Sequence, residues 1–134
     1  MSDFNHEALS LRGNKLLIYT AMSKHNFYYR MFISKFVLEQ DCVPLNPFMI
    51  FDYFLLDTVP RNIVREANNS LVQNSNELWV FGPISDGVLA EIKIAKELKK
   101  TIKYFSIKNS STILQIEKCD VIFENDLEKF KSLL

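Results

Sequence analysis

ELWVFGPISDGVLAEIKIAKELKKTIKYF, residues Glu77–Phe105, reads as strand, turn, helix and strand, and that reading decides the fold. Leu78-Trp79-Val80-Phe81 is an unbroken apolar run closed by Gly82-Pro83, the pattern of a parallel strand covered on both faces. Gly82, Pro83 and Gly87 break the chain around Ile84-Ser85-Asp86. Val88, Ile92, Ala95 and Leu98 then form a helical stripe. The turn therefore joins the carboxyl end of a strand to the amino end of a helix. Ligands of open α/β sheets collect there, because free N–H groups and the helix dipole favour an anion. Ser85 or Asp86 is the expected N-cap, which sets Glu91 about one turn into the helix beside the stripe that faces the sheet.

Working outward, residues 1–13 are polar and predict a flexible tail, followed by a single α/β domain over 14–134. Lys15 to Ala21 is expected as the first strand. Asn26 is expected to cap a helix reaching Gln40, and Cys42 to Leu45 to form a short strand confined by Pro44 and Pro47. Phe48 to Leu56 is apolar and aromatic without a clean period, so a helix or a lid over the pocket both fit. Its aromatics Phe48, Phe51, Tyr53 and Phe54 suit core packing, a stack on a nucleobase or a dimer contact. Thr58 and Pro60 announce a helix over Arg61 to Asn74. Thr101 to Ile107 is a further strand, Ile113 to Phe123 contains an extended segment, and Asp126 is placed to cap a last helix. Strands alternating with helices at this spacing predict a parallel, three-layer sheet of about five strands with right-handed crossovers.

Composition narrows the function. The 134 residues carry 16 basic and 16 acidic side chains, which argues against nucleic acid or an acidic membrane as partner. Cys42 and Cys119 lie far apart without metal-ligand spacing, and are expected as buried, reduced thiols. No apolar run approaches the roughly 20 residues of a membrane span, and the opening MSDFNHEALS lacks a signal peptide's apolar core, so a cytoplasmic protein is expected. The two histidines, His6 and His25, have no partner at ligand spacing, so no catalytic metal is expected. GPISDG is neither a dinucleotide fingerprint nor a Walker loop, which argues against NAD or ATP as cofactor. Arg61 and Arg65, one turn apart, can reach a ligand phosphate or simply form a solvated face.

IYTAMSKH in the first strand, ELWVFGPISDGVLAEIKIAKEL at the centre and the closing KKTIKYF resemble the nucleoside 2-deoxyribosyltransferase-like superfamily over Leu16 to Phe105. That superfamily includes the 2′-deoxynucleoside 5′-monophosphate N-hydrolases. The resemblance implies a flavodoxin-like or Rossmann-like fold, a homodimer and a nucleoside or nucleotide ligand. It also implies that Glu91, in SDGVLAE, attacks the anomeric carbon or stabilises its developing positive charge, chemistry that requires a carboxylate. Without the resemblance, Glu91 reads equally as an acid complementing the helix dipole.

Tyr19 matches the tyrosine that orients the nucleophile, although a lone tyrosine in a strand is ordinarily core. Ser23 and Ser85 match serines on the phosphate side, with Gly87 in the same turn; each serine also suits a plain cap. Lys24 and His25 can supply positive charge there, or be merely solvated. Two departures stand out. Asn69 occupies the place of an aspartate near the sugar hydroxyl, and an amide cannot act as a base; Asp86 is available as a second carboxylate. Asn46-Pro47-Phe48 lacks the histidine of some phosphate-using members. Cleavage or transfer at an N-glycosidic bond is the leading reading. A nucleotide-binding or sensing domain without turnover is the second, and a purely structural interaction module the third.

Overall fold

The computed structural model describes residues 3–51, 55, 57–109 and 112–134. Its sheet is built from β1 (Leu17–Met22), β2 (Val43–Leu45), β3 (Glu77–Phe81), β4 (Thr101–Lys108) and β5 (Thr112–Ile116), in the order β2-β1-β3-β4-β5. The helices are α1 (Arg30–Glu39), α2 (Pro47–Ile50), α3 (Arg61–Asn74) and α4 (Asp86–Glu97). Short 3₁₀ turns at Glu7–Ser10, Lys24–Tyr29, Lys118–Asp120 and Leu127–Leu133 complete the described elements.

The first four strands pair in parallel, with Tyr19 beside Leu78 and Val80 beside Tyr104. β5 departs from the expected parallel sheet: it runs antiparallel to β4, Ser106 opposite Leu114. The reason is length. Three residues separate Lys108 from Thr112, enough for a hairpin, whereas a parallel return requires a crossover of a dozen or more residues.

Strand alternation divides the core in two. Tyr19, Ala21, Leu78 and Val80 face Val72 of α3 and Val88, Ile92 and Ala95 of α4. Ile18, Met22, Trp79, Phe81 and Phe105 point the other way, against Ile33 and Val37 of α1. Both faces of the central strands are thus buried, which is why β3 reads as an apolar run rather than an alternation. On the second face Phe81 stacks on Phe105 at 4.9 Å between ring centroids, and Phe36 meets both edge-on at 6.1 and 5.3 Å.

Several local expectations are revised. Asn26 caps nothing: Ser23 does, its Oγ accepting from the His25 N–H at 3.2 Å, and the chain passes through a 3₁₀ turn before α1 starts at Arg30. Asn26 is instead half-buried, with its Nδ2 buried against Gly82. Asp126 makes no side-chain cap, and the C-terminal segment is 3₁₀ rather than α. The extended segment expected within 113–123 is present as β5, followed by a 3₁₀ turn and a single parallel bridge between Ile84 and Phe123. Within residues 1–13 the described part holds a 3₁₀ turn capped by His6. Cys42 is buried as expected, but Cys119 is exposed. Of the aromatic run, Phe48 packs against the second core and Phe51 borders the cavity described below, while Tyr53 and Phe54 lie outside the described residues.

Gly82 ends β3 at φ 78°, and a Cβ there would sit 2.8 Å from Asn26 Nδ2. Backbone strain and a buried clash therefore combine, and Gly82→Ala is expected to cost ~1–3 kcal/mol. Urea unfolding checks this; an unchanged midpoint would contradict both the strain and the clash.

Candidate functional site

A cavity of about 1120 Å³ opens at the carboxyl edge of the sheet. One wall comes from the end of β1, where Ser23, Lys24 and His25 follow Met22. Another is the first turns of α4 with Ser85, Asp86, Gly87 and Glu91, and a third is α3 with Arg61, Arg65, Asn68 and Asn69. The C-terminal segment adds Glu124, because Ile84 and Phe123 pair and the Glu124 N–H donates to Ile84 O at 2.9 Å. The placement follows from the fold: α3 and α4 each precede or follow β3, so their amino ends rise together above the sheet's carboxyl edge.

Ser85 caps α4, its Oγ accepting from the Val88 N–H at 3.3 Å. Asp86 is exposed and its Oδ1 accepts from the Gly87 N–H at 2.7 Å, so its carboxylate serves its own turn and makes no hydrogen bond with Glu91. Glu91 sits one and a half turns further on, half-buried in the cavity wall.

Its Oε2 is held from two sides. Asn68 Nδ2 donates to it at 2.8 Å, and the hydroxyl of Tyr19 is in hydrogen-bond contact with the same oxygen. The Tyr19 hydroxyl also lies 2.8 Å from Asn68 Oδ1. Tyr19 itself is fully buried in the sheet beneath the cavity. Among the described residues Glu91 Oε1 has no hydrogen-bond partner, which leaves it as the oxygen open to a ligand.

The structure thus brings Ser23, His25, Asn69, Ser85, Asp86, Gly87 and Glu91 to one cavity, with Tyr19 under its floor. Asn69 lines the cavity, but Asn68 is the residue bonded to Glu91. Helix phase accounts for this once the structure is known: Asn68 precedes the fully buried Val72 by four residues and so shares its inward face. Glu124 has no signal in the sequence. It lies 99 residues from His25, yet both its oxygens stand 3.3 Å from His25 Nδ1. The same nitrogen is 3.3 Å from Ser23 Oγ.

Burial raises the Glu91 carboxyl to about 7, against the opposing pull of the hydrogen bonds from Tyr19 and Asn68. Burial, reinforced by the neighbouring Glu91 charge, also lifts the Tyr19 phenol well above its usual range. The Glu91 shift has a stability consequence. The folded protein holds this proton more tightly than the unfolded chain, so the stabilisation is complete below the unfolded value near 4.5 and is lost as pH rises through about 7. Between pH 5 and 8 the wild type is expected to lose ~2–3 kcal/mol from this group, a slope that Glu91→Gln removes. Urea unfolding of both proteins across that range checks it; parallel profiles would contradict it.

Residues 18–105 match the domain of unknown function DUF7768, and the chain belongs to that family. The matched span runs from β1 through β4 and contains Tyr19, Asn68 and Glu91, but neither β5 nor Glu124. No curated protein matches the chain. No helix among the described residues is long and apolar enough to cross a membrane.

Proposed function

We propose that the protein cleaves, or transfers the sugar at, the N-glycosidic bond of a nucleoside or nucleoside 5′-monophosphate, with Glu91 as nucleophile. The carrying observation is the carboxylate itself: set in the wall of a cavity at the sheet's carboxyl edge, its Oε2 held by Tyr19 and Asn68, its Oε1 open. A carboxylate so held meets the positive charge that develops at C1′ as the base departs, in surroundings where little solvent reorganisation is required. Oε1 forms the bond to C1′ as the bond to the base breaks and the base takes up a proton from solvent; water, or the ring nitrogen of an acceptor base, then attacks C1′, loses a proton to solvent and releases the Glu91 carboxylate. Ser23, Ser85 and the Gly87 turn at the amino end of α4 suit the phosphate end, with Lys24 and His25 nearby. Asn69 and Asp86 border the sugar.

In this reading the domain is a three-layer, flavodoxin-like or Rossmann-like relative of the nucleoside 2-deoxyribosyltransferase-like proteins. It acts in the cytoplasm as a homodimer, without nucleic acid or membrane partners. What supports it is the geometry above together with the sequence resemblance.

One observation favours a second reading. Asn69 places an amide on the α3 wall where the resemblance implies an aspartate, which suits a domain that binds or senses a nucleotide without turnover. The deciding experiment is base release from a panel of ribo- and deoxynucleosides and their 5′-monophosphates, with thermal shift measured on the same panel. Release that is lost in Glu91→Ala carries the first reading. Stabilisation without release carries the second, and neither effect would leave a structural module.

A further inference from the structure

The contacts among Tyr19, Asn68 and Glu91 close a ring of three edges: Tyr19 Oη to Glu91 Oε2, Tyr19 Oη to Asn68 Oδ1, and Asn68 Nδ2 to Glu91 Oε2. Each edge joins two electronegative atoms at hydrogen-bond distance, so each needs one hydrogen. The Asn68 amide supplies one and the Tyr19 phenol supplies one. If Glu91 is ionised, the third edge has none. Should the Tyr19 hydrogen point to Glu91, the Tyr19 and Asn68 oxygens face each other at 2.8 Å with lone pairs on both sides. Turning the amide over reverses the direction of the ring but not the count, so the conclusion does not depend on which Asn68 atom is oxygen. A proton on Glu91 Oε2 completes the set: Glu91 donates to Tyr19, Tyr19 to Asn68 and Asn68 to Glu91.

We propose that Asn68, Tyr19 and Glu91 form a closed hydrogen-bonded ring that stores one proton in the ligand-free site, with Asn68 as the positioning residue that closes it. Asn68's role as a positioning residue rests on the nucleophilic role proposed for Glu91; the stored proton does not. Glu91 reaches its nucleophilic form by releasing that proton to solvent, at which point the ring opens and Oε2 keeps its donors from Tyr19 or Asn68.

The charged groups that share the cavity are Lys24 and His25 after β1, Asp57 before α3, Arg61 and Arg65 on α3, Asp86 on α4, and Glu124 from the C-terminal segment. None of them forms an ion pair or hydrogen bond with Glu91 among the described residues. Glu124 is engaged with His25 and Asp86 with its own turn. The proton on the ring is therefore governed by burial and by the two neutral partners, in keeping with the direction of the Glu91 shift.

Infrared difference spectroscopy on the full chain without ligand tests this and requires no activity. At pH 6 the wild-type minus Glu91→Gln spectrum is expected to show the C=O stretch of a neutral carboxylic acid, fading as pH rises to 8. Asn68→Ala removes the two edges that leave the ionised ring one hydrogen short, so its fading midpoint is expected to move down by about one pH unit, whereas loss of a simple donor to the carboxylate would move it up; Asn69→Ala is expected to leave the midpoint in place. Absence of the neutral-acid band at pH 6, or a midpoint in Asn68→Ala that stays in place or moves up, overturns the ring. If Glu91→Gln does not fold, the wild-type spectrum at pH 8 minus that at pH 6 carries the same reading. The outcomes separate from those of the activity assay: a stored proton without base release leaves the ring standing and removes the glycosidase reading, while base release from an ionised Glu91 does the reverse.

Discussion

Glu91→Gln is expected to lower base release by at least ~10³-fold while nucleotide-induced stabilisation survives. The substitution preserves the shape of the side chain and its place between Tyr19 and Asn68, but an amide neither attacks C1′ nor balances a developing positive charge. The loss falls on the chemical step because the charge being stabilised exists only in the transition state. Single-turnover base release with saturating substrate measures this directly. A loss below ~10-fold would mean that another group carries the reaction, and Asp86, exposed on the cavity rim, is then the first to examine.

The largest effect on stability is expected at Phe81. It is fully buried, stacks on Phe105 at 4.9 Å and receives the edge of Phe36 at 6.1 Å. Phe81→Ala removes a whole ring from a core whose neighbours are themselves large and rigid, so the vacated space cannot collapse. A cost of ~3–5 kcal/mol is expected, comparable with much of the stability of a domain this size. Because Phe81 precedes Gly82, the loss also loosens the turn that delivers Ser85 and Glu91 to the cavity. Urea unfolding followed by tryptophan fluorescence measures it, since Trp79 shares the cluster. A cost under ~1 kcal/mol would indicate that α1 repacks onto the sheet.

These two effects fall on opposite faces of β3, and the sequence shows them unequally. Strand β3, the Ser85 cap, the stripe of α4 and the helix Arg61–Asn74 were legible because each is a local property: an apolar run, a capping residue, a 3.6-residue period, a proline at a helix start. β5 was legible as an extended segment, but its direction was not, since three residues of connection decide it rather than the pattern of β5 itself. Asn26 carried every local mark of a cap and was drawn elsewhere, because Gly82 leaves a space that its side chain fills.

At the site the division is the same. Glu91 and Tyr19 could be named from their positions in SDGVLAE and YTAMS, and Ser23 and Ser85 from the ends of the strands they follow. The choice between Asn68 and Asn69 turned on helix phase, a rotation of about 100° that neighbouring asparagines do not reveal in composition but that the burial of Val72 settles. Glu124 was beyond any local reading, since only the Ile84–Phe123 bridge brings it to His25.

By itself, then, the amino-acid order determined the central strand β3, the helices α3 and α4 that flank it, and that a carboxylate stands near the amino end of α4, because periodicity, capping and turn chemistry act over a few residues. Only the tertiary structure decided that β5 reverses, that the amide on Glu91 belongs to Asn68, and that three groups from β1, α3 and α4 close one ring. The reversal follows from a short connection, whereas the last two outcomes depend on pairings across 23 to 72 positions of chain, where packing and hydrogen-bond satisfaction choose among partners that look alike in sequence.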